Sequence, residues 1–204
     1  MNYTDDDTFV TLSQSNLWSS QKRYYKEEDV EKLWSNVPHI MTNNTYLVSI
    51  YTRLIIQYYY DYIKDIKELY IIELGSGTGY FGYLLVKALL KQLNPSFTSW
   101  KYIFTDLILE EIITCPSIKE LELEQVDFSL LDFDILFTKR PTLSLIKSKK
   151  LLVLDQLDFN THCIYIANYF LDSLPQDAYR IYQQDIYQVL IKSSFNSVNQ
   201  QLNN

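Results

Sequence analysis

The 204 residues of this chain include only four glycines, and all of them, Gly75, Gly77, Gly79 and Gly82, fall within eight consecutive positions. Elsewhere the chain turns without glycine, using the Asn and Asp it has in plenty. A cluster this tight marks backbone that must take positive φ or let something approach closely, and it points to a ligand. The flanks give it a context. Leu69 to Leu74 (LYIIEL) is a short apolar run rich in β-branched and aromatic residues, whereas Tyr80 to Leu93 carries Phe81, Leu84, Leu85, Ala88 and Leu89 at helical spacing. The reading is strand, glycine turn, helix.

The same alternation continues along the chain. Further strands are expected at Lys101 to Thr105, Gln125 to Phe128 and Cys163 to Ala167, with helical character from Leu107 to Ile113 stopped by Pro116. Ahead of the glycines, Leu47, Ile50, Tyr51, Leu54, Ile55, Tyr58 and Tyr62 recur at helical spacing between Asn44 and Ile66 and predict one apolar face packed on a core. The run Tyr58, Tyr59, Tyr60 is read as core packing. Residues 17 to 36 predict one or two short amphipathic helices, residues 1 to 16 a loosely held polar start, and Ala178 to Ile191 two extended pieces joined at Gln184 and Asp185. The stretch from Phe133 to His162 carries little signal. Three regions follow: a polar N-terminus with a helical extension (1–43), an α/β domain (44–192) and a polar tail (193–204).

Strands alternating with helices imply a Rossmann-like, mostly parallel sheet whose ligand lies at the carboxyl ends of the strands. Glu73, Asp106, Asp132 and Asn168 all fall at such ends. Composition narrows the partners. With 18 Lys and Arg against 25 Asp and Glu, general nucleic-acid binding is not expected. Cys115 and Cys163 stand far apart with no metal-ligand spacing, so no metal site is expected. His39 and His162 belong to no nucleophilic constellation and are read as structural. No apolar run reaches the roughly 18 residues of a membrane span, and the acidic start MNYTDDD is unlike a targeting peptide, so a cytoplasmic location is expected. The sequons at Asn2 and Asn43 then carry no glycan.

The glycines allow two parses. Gly77, Gly79 and Gly82 spell the dinucleotide pattern G-x-G-x-x-G. Read from Glu73, the segment ELGSGTG instead resembles motif I of the class I S-adenosylmethionine-dependent methyltransferases, and it uses an acid that the first parse leaves idle. The segment IANYFLDSLPQD (Ile166 to Asp177) resembles that of a little-characterised group of these enzymes in which IANYFFDSLPQD recurs, and more distantly the corresponding segment of MidA-type arginine methyltransferases. NLWSSQKRYY from Asn16 and VPHIMTNN from Val37 are similar to the same group. Leu171 departs from its usual Phe.

That resemblance implies S-adenosylmethionine as cofactor and methyl transfer to a nitrogen or oxygen nucleophile, with a protein side chain as one candidate substrate. It implies that Glu73, Gly75, Ser76, Gly77 and Gly79 form the methionine side of the site. Asp106, 27 residues after Gly79, would accept the ribose hydroxyls, and Asp132 would meet the adenine amino group. Asp127 is then expected to be an exposed strand residue. Asn168 is assigned an orienting acceptor role and Asp172 a charge-stabilising or base role, both facing the donor methyl. Class I enzymes finish with a further strand and a hairpin, whereas here a polar tail follows soon after Ile191, so incomplete C-terminal strands are expected. The rival expectation is a non-catalytic binding or assembly module with an exposed sheet edge covered by a partner or by a second copy.

Overall fold

The computed structural model describes residues 8–27, 44–62, 67–93, 99–121, 124–131, 140–158 and 160–192. In chain order these form β1 (Val10–Thr11), α1 (Asn16–Glu27), α2 (Thr45–Tyr62), β2 (Glu68–Leu74), α3 (Tyr80–Gln92), β3 (Trp100–Asp106), α4 (Glu110–Thr114), α5 (Pro116–Lys119), β4 (Val126–Leu130), β5 (Thr142–Ser144), β6 (Leu151–Val153), β7 (Thr161–Ile166), β8 (Tyr179–Tyr182), β9 (Asp185–Gln188) and β10 (Leu190–Ile191). They divide into two compact units, Met1–Asp29 with Ser173–Asn204, and Val30–Asp172. The division differs from the expected boundaries. Residues 173–192 belong with the N-terminal segment and not with the parallel sheet.

The larger unit is mixed α/β. Its four-stranded sheet has the order β4-β3-β2-β7, every pairing parallel, which is compatible with a Rossmann-like fold. The chain steps outward from β2 to β4 and returns to the other side of β2 with β7. The strand order therefore reverses between β2 and β7, where such sheets open a crevice at their carboxyl ends. One sheet face carries Leu69 and Ile71 from β2, Trp100, Tyr102 and Phe104 from β3, Val126 from β4 and Ile166 from β7, and these join Phe81, Leu85, Val86 and Leu89 of α3 in one core. Residues two apart on a strand share a face, so the alternation in each strand builds this layer.

Helix α2 packs on the same core. Asn44 starts it, its side-chain oxygen accepting the Leu47 N–H at 2.9 Å. The buried stripe is Val48, Thr52, Ile55 and Tyr59, rotated from the expected face so that Leu54 is 64% exposed. Thr52 can sit at the centre because its hydroxyl donates to the Val48 carbonyl at 2.7 Å. Tyr59 is core, as read, while Tyr60 is half exposed. As expected, the helix ahead of Pro116 stops short of it, α4 ending at Thr114; Pro116 then also opens α5 at the first helical position, where its missing N–H costs nothing.

The stretch that carries little signal in the sequence lies beside β4, an edge strand of the sheet. β5 and β6 form an antiparallel hairpin with Leu143 opposite Leu152, and the Ile146 N–H donates to the Phe128 carbonyl at the edge of β4. The hairpin corrects the expectation for Asp127, which is completely buried. Its Oδ1 accepts the N–H groups of Phe128 (2.9 Å) and Lys147 (2.8 Å), its Oδ2 accepts the Ser148 N–H (3.0 Å), and Lys101 Nζ stands 3.9 Å away.

In the smaller unit β1 pairs antiparallel with β10, so Val10 and Thr11 are not part of a loose start. Asp177 accepts the Ser13 N–H at 2.9 Å. β8 and β9 form a hairpin turned at Gln183 and Gln184, both at positive φ (47° and 73°), one residue before the expected junction. The expected helical extension is met by α1 over its described residues; positions 28–43, with His39 and Asn43, lie outside them, as do Asn2 and the tail 193–204. Among the described residues no fifth strand joins the parallel sheet, and no helix is long and apolar enough to cross a membrane.

Candidate functional site

Strand β2 delivers the chain to the crevice and the glycine loop turns it into α3. Gly75, Gly77 and Gly79 all take positive φ (69°, 55° and 72°), where an L side chain is strained. The loop is tied down by its own amides. The Ser76 N–H donates to the Thr105 carbonyl (2.9 Å), the Gly79 N–H to the Ser76 carbonyl (2.8 Å) and the Gly77 N–H to Asp106 Oδ2 (2.7 Å). The Ser76 hydroxyl accepts the Thr105 N–H at 3.1 Å, so this buried side chain holds the loop to β3.

Close approach accounts for the glycines too, although the approaching atoms are the protein's own. A Cβ on Gly79 would stand 2.5 Å from Ile118 Cδ1, and one on Gly82 would meet Phe104, Glu73 and Tyr102 at 2.4, 2.7 and 2.9 Å. Gly82 is thus explained by the seat of α3 on the sheet. At Gly75 the neighbour comes from the turn after β7, with Phe170 Cδ2 2.9 Å from where a Cβ would be.

Asp106 ends β3 as expected. Besides the Gly77 contact, its Oδ1 accepts the N–H groups of Leu107 (2.7 Å) and Ile108 (3.4 Å). Burial raises its pKa above the ordinary aspartate value, with the Gly77, Ile108 and Leu107 amides pulling it back. These amides take three of the carboxylate's four lone-pair positions, leaving Oδ2 one open position and Oδ1 only the one held by the long Ile108 contact.

Glu73 lies elsewhere than the rim. It shares its sheet face with Ile71 and points beneath α3, 5% exposed, against Gly82. Burial pushes it up to about 8, against the pull of the Ser76 hydroxyl and the Tyr102 phenol, and Asp106 adds to the rise. At neutral pH it is a neutral carboxyl. Its Oε2 and the Tyr102 hydroxyl are both buried and complete no well-formed hydrogen bond among the described residues.

Asn168 follows β7 across the crevice from the loop. Its Oδ1 accepts the hydroxyl of Tyr51, a residue of α2, at 2.6 Å, while its Nδ2 is buried and finds no partner among the described residues. Where an orienting acceptor role was expected of Asn168, Tyr51 takes one lone pair of its oxygen, and its nitrogen is a buried donor with no partner among the described residues. Tyr51 escaped the sequence reading because it looked like one more core aromatic, and its ring does pack edge-on against Phe81 (centroids 5.3 Å). After Asn168 comes Tyr169 at φ +51°, a strained position of the kind that gathers at sites. Asp172 is exposed in a short 3-10 turn, and Asp132 lies outside the described residues. His162 sits in β7 with its Nδ1 2.6 Å from the Tyr58 hydroxyl, an aromatic contact away from the crevice.

The structure therefore brings Gly75, Gly77, Asp106, Asn168 and Phe170 to one rim and leaves Glu73 and Ser76 below it. Among the described residues no three His, Cys, Asp or Glu side chains group as a metal site. Comparisons with protein-family models, with curated proteins and with solved structures find no match to this chain.

Proposed function

We propose that the crevice binds S-adenosylmethionine and that the protein transfers its methyl group to a nitrogen or oxygen nucleophile. The carrying observation is how the loop spends its amides. A dinucleotide's pyrophosphate is held by free N–H groups at the head of a helix. Here the N–H groups of Ser76, Gly77 and Gly79 are committed to Thr105, Asp106 and Ser76. The loop thus offers bare backbone to a ligand without phosphates, beside a carboxylate suited to a diol and an unpaired amide.

S-adenosylmethionine supplies an electrophilic methyl on a sulfonium, so the protein's share is to position, exclude water and tune the acceptor. Asp106 would take the ribose hydroxyls in charge-assisted hydrogen bonds. The glycine loop would carry the methionine and ribose, with Phe170 walling the crevice at Gly75. Asp172, exposed at the end of the same segment, is the group free to receive a proton from an incoming nucleophile.

Calorimetric titration of the protein with S-adenosylhomocysteine, with NADH as the control, tests the reading. Micromolar binding of the first alone is expected; binding of neither, or of NADH alone, would sink it. Asp106→Ala is expected to weaken that binding at least about a hundredfold, as loss of two charge-assisted hydrogen bonds would do. Unchanged affinity in a folded Asp106→Ala variant would remove the ribose assignment.

One observation favours a second reading, a non-catalytic assembly module. Among the described strands β7 pairs on one side only, with β2, leaving an edge able to add a strand. Gel filtration separates the two readings: a concentration-independent monomer that binds S-adenosylhomocysteine leaves the module reading without support.

A further inference from the structure

The Tyr51–Asn168 pair fixes what kind of group can lie beside it. A phenol hydroxyl can donate to the amide oxygen or accept from the amide nitrogen. The 2.6 Å separation falls among O–H···O lengths and below the usual N–H···O range of about 2.7–3.2 Å, so Tyr51 donates to Oδ1. The amide plane is thereby set, and Nδ2 presents two N–H groups that are shielded from water and unpaired among the described residues. A buried donor without a partner is a standing penalty that an acceptor would relieve. An ammonium or guanidinium cannot relieve it, because both only donate.

The location narrows the acceptor. Phe170, two residues beyond Asn168, touches Gly75, so this turn faces the part of the loop that would carry a ligand's amino-acid end. The carboxylate on that rim, Asp106, has taken up the Gly77 amide and is suited to a diol.

We infer that Asn168, held by Tyr51 as a positioning residue, donates its side-chain N–H groups to the α-carboxylate of the cofactor's amino-acid end. The inference rests on the proposed function and adds to it a residue pair that reads the carboxylate and disfavours ligands lacking one. It also removes Asn168 from the chemistry of the incoming nucleophile.

The test uses two probes that differ in this group alone: S-adenosylhomocysteine and its decarboxylated counterpart, the 3-aminopropyl thioether of adenosine. The wild-type protein is expected to bind the first about a hundredfold more tightly. Tyr51→Phe, which frees the amide to rotate, is expected to narrow that ratio about tenfold. Asn168→Asp, nearly isosteric but acceptor-only, is expected to reverse the order. A general loosening of the fold would weaken both probes and leave the ratio intact, so a ratio unchanged in both variants overturns the inference, as does a wild-type protein with no preference. Wild-type protein that binds neither probe overturns the parent reading along with this one, a result distinct from binding without preference.

Discussion

Asp127→Ala is expected to remove about 3–5 kcal/mol from the stability of the parallel-sheet unit, the scale of breaking a fully buried, multiply hydrogen-bonded charge. The substitution would strand the amides of Lys147 and Ser148 and leave the Lys101 ammonium facing an empty site, and the hairpin beside β4 would lose its clasp. Urea denaturation checks it, and a change below about 1 kcal/mol would show that the clasp is incidental. The pH dependence has a definite sign. Burial alone would raise Asp127, but the Ser148 hydroxyl and the amides of Phe128, Lys147 and Ser148 outweigh it and hold the carboxyl below its ordinary value. Its contribution is therefore fully present above the unfolded value and is lost as pH falls through the lower, folded one.

Glu73→Gln is expected to act in the other direction and at the other end of the pH scale. Folded Glu73 holds its proton up to about 8, whereas the unfolded chain releases it near 4.5. Between those values the native state binds more protons, so wild-type stability declines as pH rises, by about 1.4 kcal/mol per unit at the steepest. Glutamine stays neutral throughout. The variant should match the wild type near pH 4 and exceed it by several kcal/mol at pH 8, as thermal melts at the two values will record. A wild-type advantage at pH 8 would mean that ionised Glu73 has a partner strong enough to offset its burial.

The two carboxylates also mark how far the sequence could be read. Short β-branched and aromatic runs revealed β2, β3 and β7, and the glycine turn placed α3, because each of these depends on local pattern. Asp127 defeated the reading for a physical reason. In Val126-Asp127-Phe128 it alternates with apolar residues as a solvent-facing residue would, and what covers it arrives from Lys147 and Ser148, some twenty residues later in a stretch without periodicity. Helix α2 failed differently. Apolar residues occupy so many of its positions that no stripe stands out, and the core selected Val48, Thr52, Ile55 and Tyr59. At the rim, residue types told which groups gather but not which way they point. That Asn168 presents its nitrogen is decided by Tyr51, 117 positions away.

The chain's economy with glycine has a consequence for how its relatives could diverge. Left-handed backbone alone does not compel glycine here, since Lys149, Tyr169, Gln183 and Gln184 all adopt positive φ. At Gly79 the compulsion is partly steric, from the methyl end of Ile118. A Cβ at 79 therefore needs a trimmed side chain at 118 first, and some give from Ile112 at 3.0 Å, whereas 118 can shorten by itself. Drift in such a lineage would follow an ordered path, in which the shortening of one residue licenses the growth of the other.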